Sequence, residues 1–335
     1  MTSESTRRPT ILDIARKAKV SSWTVSHVLN ETADVSIAQA TRARVMAVSE
    51  EIGYQPNRAA RALATGKTNM VAFLAPDCFT AYYCQVGRFI SQQSMKHNYN
   101  VIAHSMIMFM DDHNLSFPLP SLQVDGILSF DTHHESHLLS SLNMASIPLV
   151  SLGVFHEPKT DFVGADLYTG SLEAVKHLLN PGCRRVAQML NEDSIRRDDR
   201  ARAYFDVMQE AGLKPETIVI PNQERSVARK AIVDYAADKG IPEAIFCIND
   251  DVAIGCYRGL RDMGVKIPDD VAIVGCDGIP DIYYLDTPIS TIIHPTEMMC
   301  ERAWDFLEKR LQEPGAPVQQ SVLPVTLLIQ GSSLR

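Results

Sequence analysis

The sequence predicts an α/β protein that carries a small helical domain at its N-terminus. From Met70 onward, short apolar runs typical of buried strands alternate with stretches of helical periodicity. Two such series follow each other, which predicts two lobes, each built on a parallel sheet flanked by helices. Before Met70 the apolar residues instead recur at helical spacing in short segments.

Length and composition agree with more than one domain. The 335 residues are too many for one ordinary domain, and 45% hydrophobic with 21% charged residues is typical of globular proteins. No apolar run approaches the roughly 20 residues of a membrane span, and the N-terminus MTSESTRRPT lacks the apolar block of a signal peptide. We therefore expect a cytoplasmic protein with no membrane association.

The cysteine and glycine patterns predict no metal and no cofactor. The seven cysteines are scattered and form no C-x-x-C pair, so we expect buried thiols and neither a disulfide nor a zinc framework. No G-x-G-x-x-G follows a strand, and no P-loop is present. Since no nucleophile, base and orienting group occur at a suitable spacing, we expect no enzymatic activity.

The charge of the chain is divided unevenly. Residues 1–67 carry ten Lys and Arg against six Asp and Glu, a net charge of +4, whereas the whole chain has a net charge of -8. The remainder therefore carries -12. A basic N-terminal piece beside an acidic body predicts that the two parts have different partners, and the basic piece suits nucleic acid.

Three helices are predicted in the N-terminal piece. The first begins at the capping box Thr10-Ile-Leu-Asp13. A tight turn at Lys19-Val20 leads to Ser21 or Ser22 as the cap of the second helix. The third is predicted to begin at a capping box that starts with Ser36. Two short helices joined by a tight turn and steadied by a third form a helix-turn-helix.

The second helix is sized for the major groove of DNA. The N-terminal end of such a helix meets base edges, so we predict base readout by Ser22, Trp23 and His27 and phosphate contacts by Thr24 and Ser26. A helical bundle whose outer face is only solvated is the alternative. The predicted DNA-binding residues of this segment are Ser22, Trp23, Thr24, Ser26, His27 and Asn30.

Four segments between Pro9 and Lys67 match a known pattern. They are Thr10-Ile-Leu-Asp-Ile-Ala, Val20-Ser-Ser-Trp-Thr-Val-Ser-His-Val-Leu-Asn, Thr41-Arg-Ala-Arg-Val and Ile52-Gly-Tyr-Gln-Pro-Asn-Arg-Ala-Ala-Arg-Ala-Leu. In these segments the sequence resembles the DNA-binding headpiece of the LacI/GalR family of bacterial transcription regulators. It departs from the family pattern at His27, where Arg is frequent, and at Trp23, which stands at a variable readout position.

A short hinge helix is predicted after Pro56. The segment Arg58-Ala-Ala-Arg-Ala-Leu-Ala64 favours helix, but it is marginal alone in water, where roughly 12–15 residues are needed. We expect it to become ordered when a second copy packs beside it on DNA; an ordinary flexible linker is the alternative. The family resemblance implies that Leu63 is wedged between base steps of the minor groove. Asn57 and Arg61 are the other predicted DNA contacts of the hinge.

Polar residues follow several of the predicted strands of the body. These strands are 71–75, 101–103, 126–129, 148–152, 162–164, 186–190, 217–220, 244–248 and 271–275. Asp77, Asp166, Asn249 and Asp277 follow strand ends, and Arg200 is predicted to lie in a charged loop. In open α/β sheets ligands bind beyond the carboxyl ends of the strands, so these groups could bind a hydroxyl-rich molecule between the lobes. Each Asp or Asn could instead cap the following helix.

The LacI/GalR resemblance extends over almost the whole chain. It rests here on Phe246-Cys-Ile-Asn-Asp-Asp-Val-Ala-Ile-Gly, Gly264-Val-Lys-Ile-Pro-Asp-Asp-Val-Ala-Ile-Val-Gly-Cys-Asp and Pro288-Ile-Ser-Thr-Ile-Ile. These segments are similar to the two-lobed effector domain, a type I periplasmic-binding-protein-like body. By position, the resemblance implies effector contacts from Arg200, Asn249 and Asp277. It places Tyr82, Tyr83 and Asp166 in the wall of the site.

The domains are predicted at 1–56 for the headpiece, 57–69 for the hinge helix and linker, and 70–335 for an effector-binding and dimerisation domain. Its first lobe is expected at about 70–163 and 294–320, and its second at about 164–293 and 321–335.

We expect a sequence-specific DNA-binding repressor that binds a palindromic operator as a homodimer. A small-molecule effector should control it, and the Arg, Asn and Asp set favours a sugar. The alternative within the family is a corepressor-dependent or activating regulator that responds to a purine or another metabolite. The alternative from another class is a cytoplasmic solute-binding α/β protein.

Overall fold

The chain forms two compact units, Met1–Thr68 and Asn69–Arg335. The computed structural model describes residues 8–29, 36–55, 58–106, 123–131, 147–154, 158–180 and 182–335. Each unit has a hydrophobic core of its own. None of the helices in these described ranges has the length and hydropathy needed to span a bilayer.

The N-terminal unit is helical. Its helices are α1 Ile11–Ala18, α2 Ser22–Leu29, α3 Gln39–Glu51 and α4 Arg58–Thr65. The first three enclose a small apolar core, and they pack against one another in every pair. The buried residues of this core are Ile14, Ala15, Ala18, Val25, Val28 and Val45. This arrangement is the predicted helix-turn-helix with its supporting third helix.

The helix ends show where local sequence decided the structure. The capping box of α1 is present: the Asp13 carboxylate accepts hydrogen bonds from the Thr10 backbone N–H at 2.9 Å and from its hydroxyl at 2.7 Å. Ser21 caps α2, since its Oγ accepts from the Thr24 N–H at 3.0 Å. The capping box predicted at Ser36 is wrong. Helix α3 begins at Gln39 after Ala38 and has no side-chain cap, while Ile37 packs against the core.

The first sheet of the C-terminal unit has strand order β11-β5-β4-β3-β1-β2, and all its neighbours are parallel. The strands are β1 Met70–Ala75, β2 Asn100–Ser105, β3 Gly126–Phe130, β4 Leu149–Gly153, β5 Asp161–Ala165 and β11 Gln320–Leu323. Every residue of β3 and β4 is buried, as expected for parallel strands covered on both faces.

The second sheet has strand order β12-β10-β9-β8-β6-β7. The strands are β6 Val186–Asn191, β7 Glu216–Ile220, β8 Ala244–Cys247, β9 Ala272–Asp277, β10 Ser290–Ile293 and β12 Thr326–Leu328. All pairs are parallel except β10 with β12, which is antiparallel. The predicted strands are present, with ends that differ by at most two residues from the prediction, and two parallel-sheet lobes are confirmed.

Helices cover both sheets. They are α5 Ala81–Lys96, α6 Leu167–Leu179, α7 Glu192–Arg197, α8 Asp199–Glu210, α9 Arg225–Lys239, α10 Asp250–Asp262 and α11 Thr296–Gln312, with 3-10 turns at Pro280–Tyr284 and Gly331–Ser333. Helix α11 packs against α5 and against three strands of the first sheet, although it follows the second sheet in sequence. The chain therefore passes between the lobes three times: after β5, after β10, and between β11 and β12.

The lobe boundaries lie slightly later than expected. Strand β5 remains in the first sheet to Ala165, and β11 occupies positions that were assigned in part to the second lobe. The buried carboxylate of Asp161 lies at the start of this strand pair. It binds the Arg310 guanidinium at 2.8 and 2.9 Å and accepts from the Gln319 N–H at 2.8 Å, which holds the start of β11 against β5.

All seven cysteines are free thiols. Six are buried as expected, and Cys84 is the exposed exception.

Candidate DNA interface and interlobe cleft

The outward face of α2 is the candidate DNA surface of the N-terminal unit. Val25 and Val28 point into the core, which turns the polar residues of the helix outward. Ser22 is exposed, and Trp23 keeps 56% of its surface exposed. The indole is therefore accessible at the start of α2, where the sequence predicts base readout.

Trp23 and His27 form one surface. Their ring centroids lie 4.0 Å apart, and the His27 Nδ1 lies 2.8 Å from the Trp23 carbonyl oxygen. Because a carbonyl oxygen can only accept, Nδ1 carries the proton of this hydrogen bond. The other ring nitrogen, Nε2, takes no part in this bond.

The other residues predicted to contact DNA differ in how exposed their side chains are. The hydroxyl of Thr24 lies 2.8 Å from that of Ser21, within the cap of α2, and Ser26 is half-buried. Leu63 on α4 is 91% exposed, the most water-accessible large apolar side chain of the described residues. The helix ends where the Gly66 N–H donates to Ala62 at 2.8 Å. Asn30 and Asn57 lie outside the described residues, and the Arg61 side chain is likewise not described.

Two tyrosines, Tyr82 and Tyr83, lie on the first-lobe side of the interlobe cleft. The Tyr83 hydroxyl donates to Asp131 Oδ2 at 2.7 Å, and Asp131 Oδ1 accepts from the Val154 N–H at 2.8 Å. Tyr82 is only 7% exposed and packs edge-on against Phe130. Tyr82 is thus more deeply buried than the wall position predicted for it.

A hydrogen bond joins the two lobes at His294. The Tyr82 hydroxyl lies 2.9 Å from His294 Nδ1, and His294 follows β10 on the second crossover between the lobes. The other ring nitrogen, Nε2, lies 3.2 Å from the Cys276 Sγ at the end of β9. Burial, together with the charge of Arg200, lowers the pKa of His294 to about 3, so the imidazole is neutral.

Arg200 lies in a helix, and the loop predicted for it is wrong. Residues 192–197 and 199–210 form α7 and α8, and the Asp198 carboxylate caps α8 by accepting from the Arg200 N–H at 2.9 Å. The same carboxylate binds the guanidinium: Nε to Oδ1 at 2.9 Å and Nη2 to Oδ2 at 2.7 Å. Nη1 donates to the Ile248 carbonyl at 2.7 Å. The arginine is buried, and each of its guanidinium nitrogens has a protein acceptor.

Asp277 ends β9 with a buried carboxylate. It is 8% exposed, and its backbone has a φ of 127°, a region that side chains other than glycine rarely adopt. The His294 Nε2 lies 3.9 Å from the Asp277 Oδ1. Among the residues that the structure describes, no donor lies within hydrogen-bonding distance of this carboxylate. Burial, and then the charge of Asp250, raises the pKa of Asp277 well above its usual range.

The other predicted strand-end residues serve local structure. Asp166 caps α6 by accepting from the Thr169 N–H at 3.0 Å, and Asn249 caps α10 by accepting from the Val252 N–H at 2.9 Å. The Asn249 side-chain amide also donates to Gln223. Asp77 accepts from the Phe79 N–H at 3.0 Å in the turn after β1. These bonds are the capping alternative, and they occupy at least one side-chain oxygen of each residue.

Three residues of the cleft were missed in the sequence. Asp131 and His294 directly follow strand runs, so the strand-end rule applied to every strand would have found them. Asp198 gave no such signal, because its pairing with Arg200 depends on α8 beginning at residue 199.

Cys276, Asp277 and His294 also group three possible metal-ligand atoms within 4.8 Å of one another. Two neighbouring effects oppose a cation there. Arg200 Nη1 lies 3.9 Å from the Cys276 Sγ, and burial raises the pKa of the thiol that would have to ionise. The group fits a hydrogen-bonded wall of the cleft better than a metal site.

Comparison with known proteins decides the family. Residues 10–57 match the family model of bacterial regulatory proteins of the lacI family, and residues 175–334 match the periplasmic-binding-protein-like domain. The ribose operon repressor of Haemophilus influenzae is 30% identical over 331 residues, which cover 96% of this chain and 98% of the repressor. The chain belongs to the LacI family. It is a DNA-binding transcriptional regulator with a headpiece and a two-lobed body.

Other LacI-family proteins are similar over the same span. The transcriptional repressor PurR of Aliivibrio salmonicida is 28% identical over 311 residues, covering 91% of this chain and 92% of PurR. A crystal structure of the lac repressor dimer bound to operator and an anti-inducer superposes with a TM-score of 0.84. It covers 98% of this chain and all of that one at 19% identity, so it shows a shared fold.

Proposed function

We propose that this LacI-family regulator is a repressor that binds a palindromic operator as a homodimer and is controlled by a small molecule held between its lobes. The observation that carries the DNA side is the exposed pair of Trp23 and His27 on α2, inside the segment that matches the family headpiece. A twofold protein matches a twofold site, because each headpiece meets one half-site. Such a regulator acts where the chromosome lies, so we propose a cytoplasmic location.

The effector side rests on the contact between Tyr82 and His294. This hydrogen bond links α5 of the first lobe to a crossover segment, so the angle between the lobes and the state of the cleft depend on each other. A ligand that binds one lobe arrangement better than the other shifts the population toward that arrangement. Regulation then requires that operator DNA prefers one of the two arrangements.

A regulator that needs a corepressor is the second candidate. The observation that favours it is the buried carboxyl group of Asp277, which has no hydrogen-bond donor among the described residues and is therefore costly without a ligand. Both candidates share the DNA interface, and they differ in the direction in which the ligand shifts operator affinity.

Selection from random duplexes tests the proposal. Purified protein is mixed with a random pool, and the retained fraction is sequenced with and without a panel of sugars and purines. We expect a palindrome, and a sugar that releases it marks an inducible repressor. Enrichment only in the presence of a ligand supports the corepressor alternative. If no sequence is enriched under any condition, and residual binding falls steeply with salt, the protein binds DNA without specificity and the proposal is wrong.

A further inference from the structure

The helix α2 carries no side chain that reads a base by two hydrogen bonds. Its sequence is SWTVSHVL, which contains no arginine, lysine, asparagine, glutamine or acidic residue. Arginine and lysine form two-point contacts with guanine, asparagine and glutamine form them with adenine, and acidic side chains accept from cytosine. A helix without these residues has to recognise its half-site by single hydrogen bonds and by apolar contact.

The polar side chains of α2 offer single hydrogen bonds. The Thr24 hydroxyl lies 2.8 Å from that of Ser21, and both belong to the cap of the helix. His27 uses Nδ1 in its bond to the Trp23 carbonyl at 2.8 Å, which leaves one ring nitrogen for a base. Ser22 contributes one exposed hydroxyl. Polar readout by α2 therefore distinguishes few base pairs, because a single donor or acceptor occurs on more than one base edge of the major groove.

Trp23 supplies the largest exposed apolar side chain of α2, and a neighbour holds it in place. Its exposed fraction is 56%. The imidazole of His27 lies against the indole, with ring centroids 4.0 Å apart and ring planes inclined by 33°. Residues four apart are neighbours on a helix surface, and the bond from Nδ1 to the Trp23 carbonyl fixes the imidazole there. The fixed imidazole restricts the orientations that remain open to the indole.

Thymine carries the apolar group of the major groove that fits such a surface. Its C5 methyl group projects into the groove, whereas the other three bases present only hydrogen-bonding groups there. Burial of apolar surface against an indole is favourable, and a ring that is already held loses little conformational entropy on binding. The exposed indole of Trp23 therefore suits a thymine methyl group better than the polar edge of a G·C pair.

We propose that α2 recognises its half-site through the C5 methyl group of a thymine, which packs against the Trp23 indole, and that His27 positions this indole. This inference rests on the proposed function and names the feature of the operator that the headpiece reads. It gives a role to His27, which stands where arginine is frequent in the family. An arginine at this position would offer two donors to guanine, whereas a histidine bound to the Trp23 carbonyl cannot do so.

Base analogues that differ by one methyl group test the proposal on the unchanged protein. The palindrome obtained by selection is synthesised with each thymine replaced in turn, in both half-sites, by deoxyuridine. Uracil keeps every hydrogen-bonding group of thymine and lacks only the methyl group. We expect one or two positions at which replacement in both half-sites weakens binding about 15-fold, or about fourfold for each buried methyl group. All titrations use one salt concentration, because phosphate contacts make affinity depend on salt.

A second analogue restores the methyl group on a different base. At the sensitive position the T·A pair is replaced by C·G and by 5-methylcytosine·G. These two pairs present the same hydrogen-bonding groups and differ only in the methyl group. The methylated pair should bind about fourfold more tightly for each half-site.

Variants of α2 assign this discrimination, which is measured as the ratio of Kd for the uracil operator to Kd for the thymine operator. Trp23→Ala should reduce the ratio to about one, and His27→Ala should reduce it at least about twofold. His27→Phe keeps a ring beside the indole and should retain the ratio. A general loss of affinity or stability does not move this ratio, so it separates positioning from a merely structural role. Met46→Ala on α3 removes an exposed apolar side chain of another helix and should leave the ratio unchanged.

Several results overturn the proposal. A half-site without thymine, or a palindrome bound equally well with uracil at every position, removes this inference and leaves the proposed function intact. A ratio that persists in Trp23→Ala assigns the methyl contact to another side chain, and an unchanged ratio in His27→Ala removes the positioning role. Failure to select any sequence overturns the proposed function and this inference together. Because the uracil experiment uses the unchanged protein, it decides the methyl contact even if a variant unfolds.

Discussion

Asp198 and Arg200, two residues apart, form a buried two-point ion pair at the start of α8, with bonds of 2.9 and 2.7 Å. Burial alone would raise the pKa of Asp198, but the neighbouring guanidinium holds it below its usual value. The Asp198 carboxylate therefore has two roles: it caps α8, and it balances the buried charge of Arg200.

Removing Asp198 should destabilise the C-terminal unit. Asp198→Ala leaves the buried Arg200 charge without its partner, and such a loss costs about 3–5 kcal/mol in the free energy of unfolding. Asp198→Asn keeps an oxygen for the cap and should cost less. Urea denaturation measures the free energy of unfolding of both variants. Asp206→Asn, which changes an exposed carboxylate of α8, is the control. A loss within about 0.5 kcal/mol of the loss in this control would contradict a stabilising role for the pair.

Acid should weaken the fold through His294. Its folded pKa of about 3 lies below the ordinary value, so the unfolded chain binds the extra proton between these values and stability falls as pH falls. From pH 7 to pH 5 this amounts to about 2 kcal/mol. His294→Gln lacks the titrating group and therefore does not lose this free energy. The stability of the unchanged protein relative to His294→Gln should fall by that amount between pH 7 and pH 5. Asp131, Asp250 and Asp277, whose pKa values are raised, contribute the opposite trend in both proteins. If the free energy of unfolding changes equally with pH in both proteins, the pKa of His294 is not lowered by folding.

Trp23→Ala should change operator preference without unfolding the headpiece. The side chain is 56% exposed, so little folding free energy depends on it, whereas the base-facing surface of α2 loses its largest group. Met46→Ala on α3 removes a comparably exposed apolar side chain away from α2 and is the matched control. Selection from random duplexes measures the operator preference of each variant. Identical consensus sequences for Trp23→Ala and the unchanged protein would assign Trp23 a structural role.

Leu63→Ala should weaken operator binding at least about tenfold and reduce DNA bending, because an apolar wedge between base steps is lost. Its 91% exposure means that the thermal melt should hardly move. Gel mobility of a permuted set of operator fragments measures bending, and a titration measures affinity. Leu63→Met retains an apolar side chain at this position, so it should keep most of the operator affinity and most of the DNA bending. Equal affinity and bending for Leu63→Ala would remove the wedge from the proposed mechanism.

The strand pattern could be predicted because both faces of parallel strands are buried, which leaves continuous apolar runs such as Gly126–Phe130. The cap of α1 was equally local, since Thr10 and Asp13 bond within one turn. The start of α3 was misjudged, because the helix begins at Gln39 after Ala38, without the side-chain cap that Ser36 was predicted to supply. Strand β11 pairs with β5 as far as Leu323, three residues beyond the predicted end of the first lobe, and this pairing across the sheet is not visible in the sequence.

The sequence by itself determined the α/β class, the helix-turn-helix with Trp23 facing outward, and the family, because these depend on periodicity and on motifs of adjacent residues. Only the tertiary structure decided what the polar residues of the body do. Asp166 and Asn249 cap helices, while His294, on a crossover, meets Tyr82 from 212 positions away. Arg200 binds other residues of the chain because α8 begins beside Asp198 and because the Ile248 carbonyl is buried next to the guanidinium. Sequence spacing does not record such contacts, because they arise only when two separately formed sheets pack around one cleft.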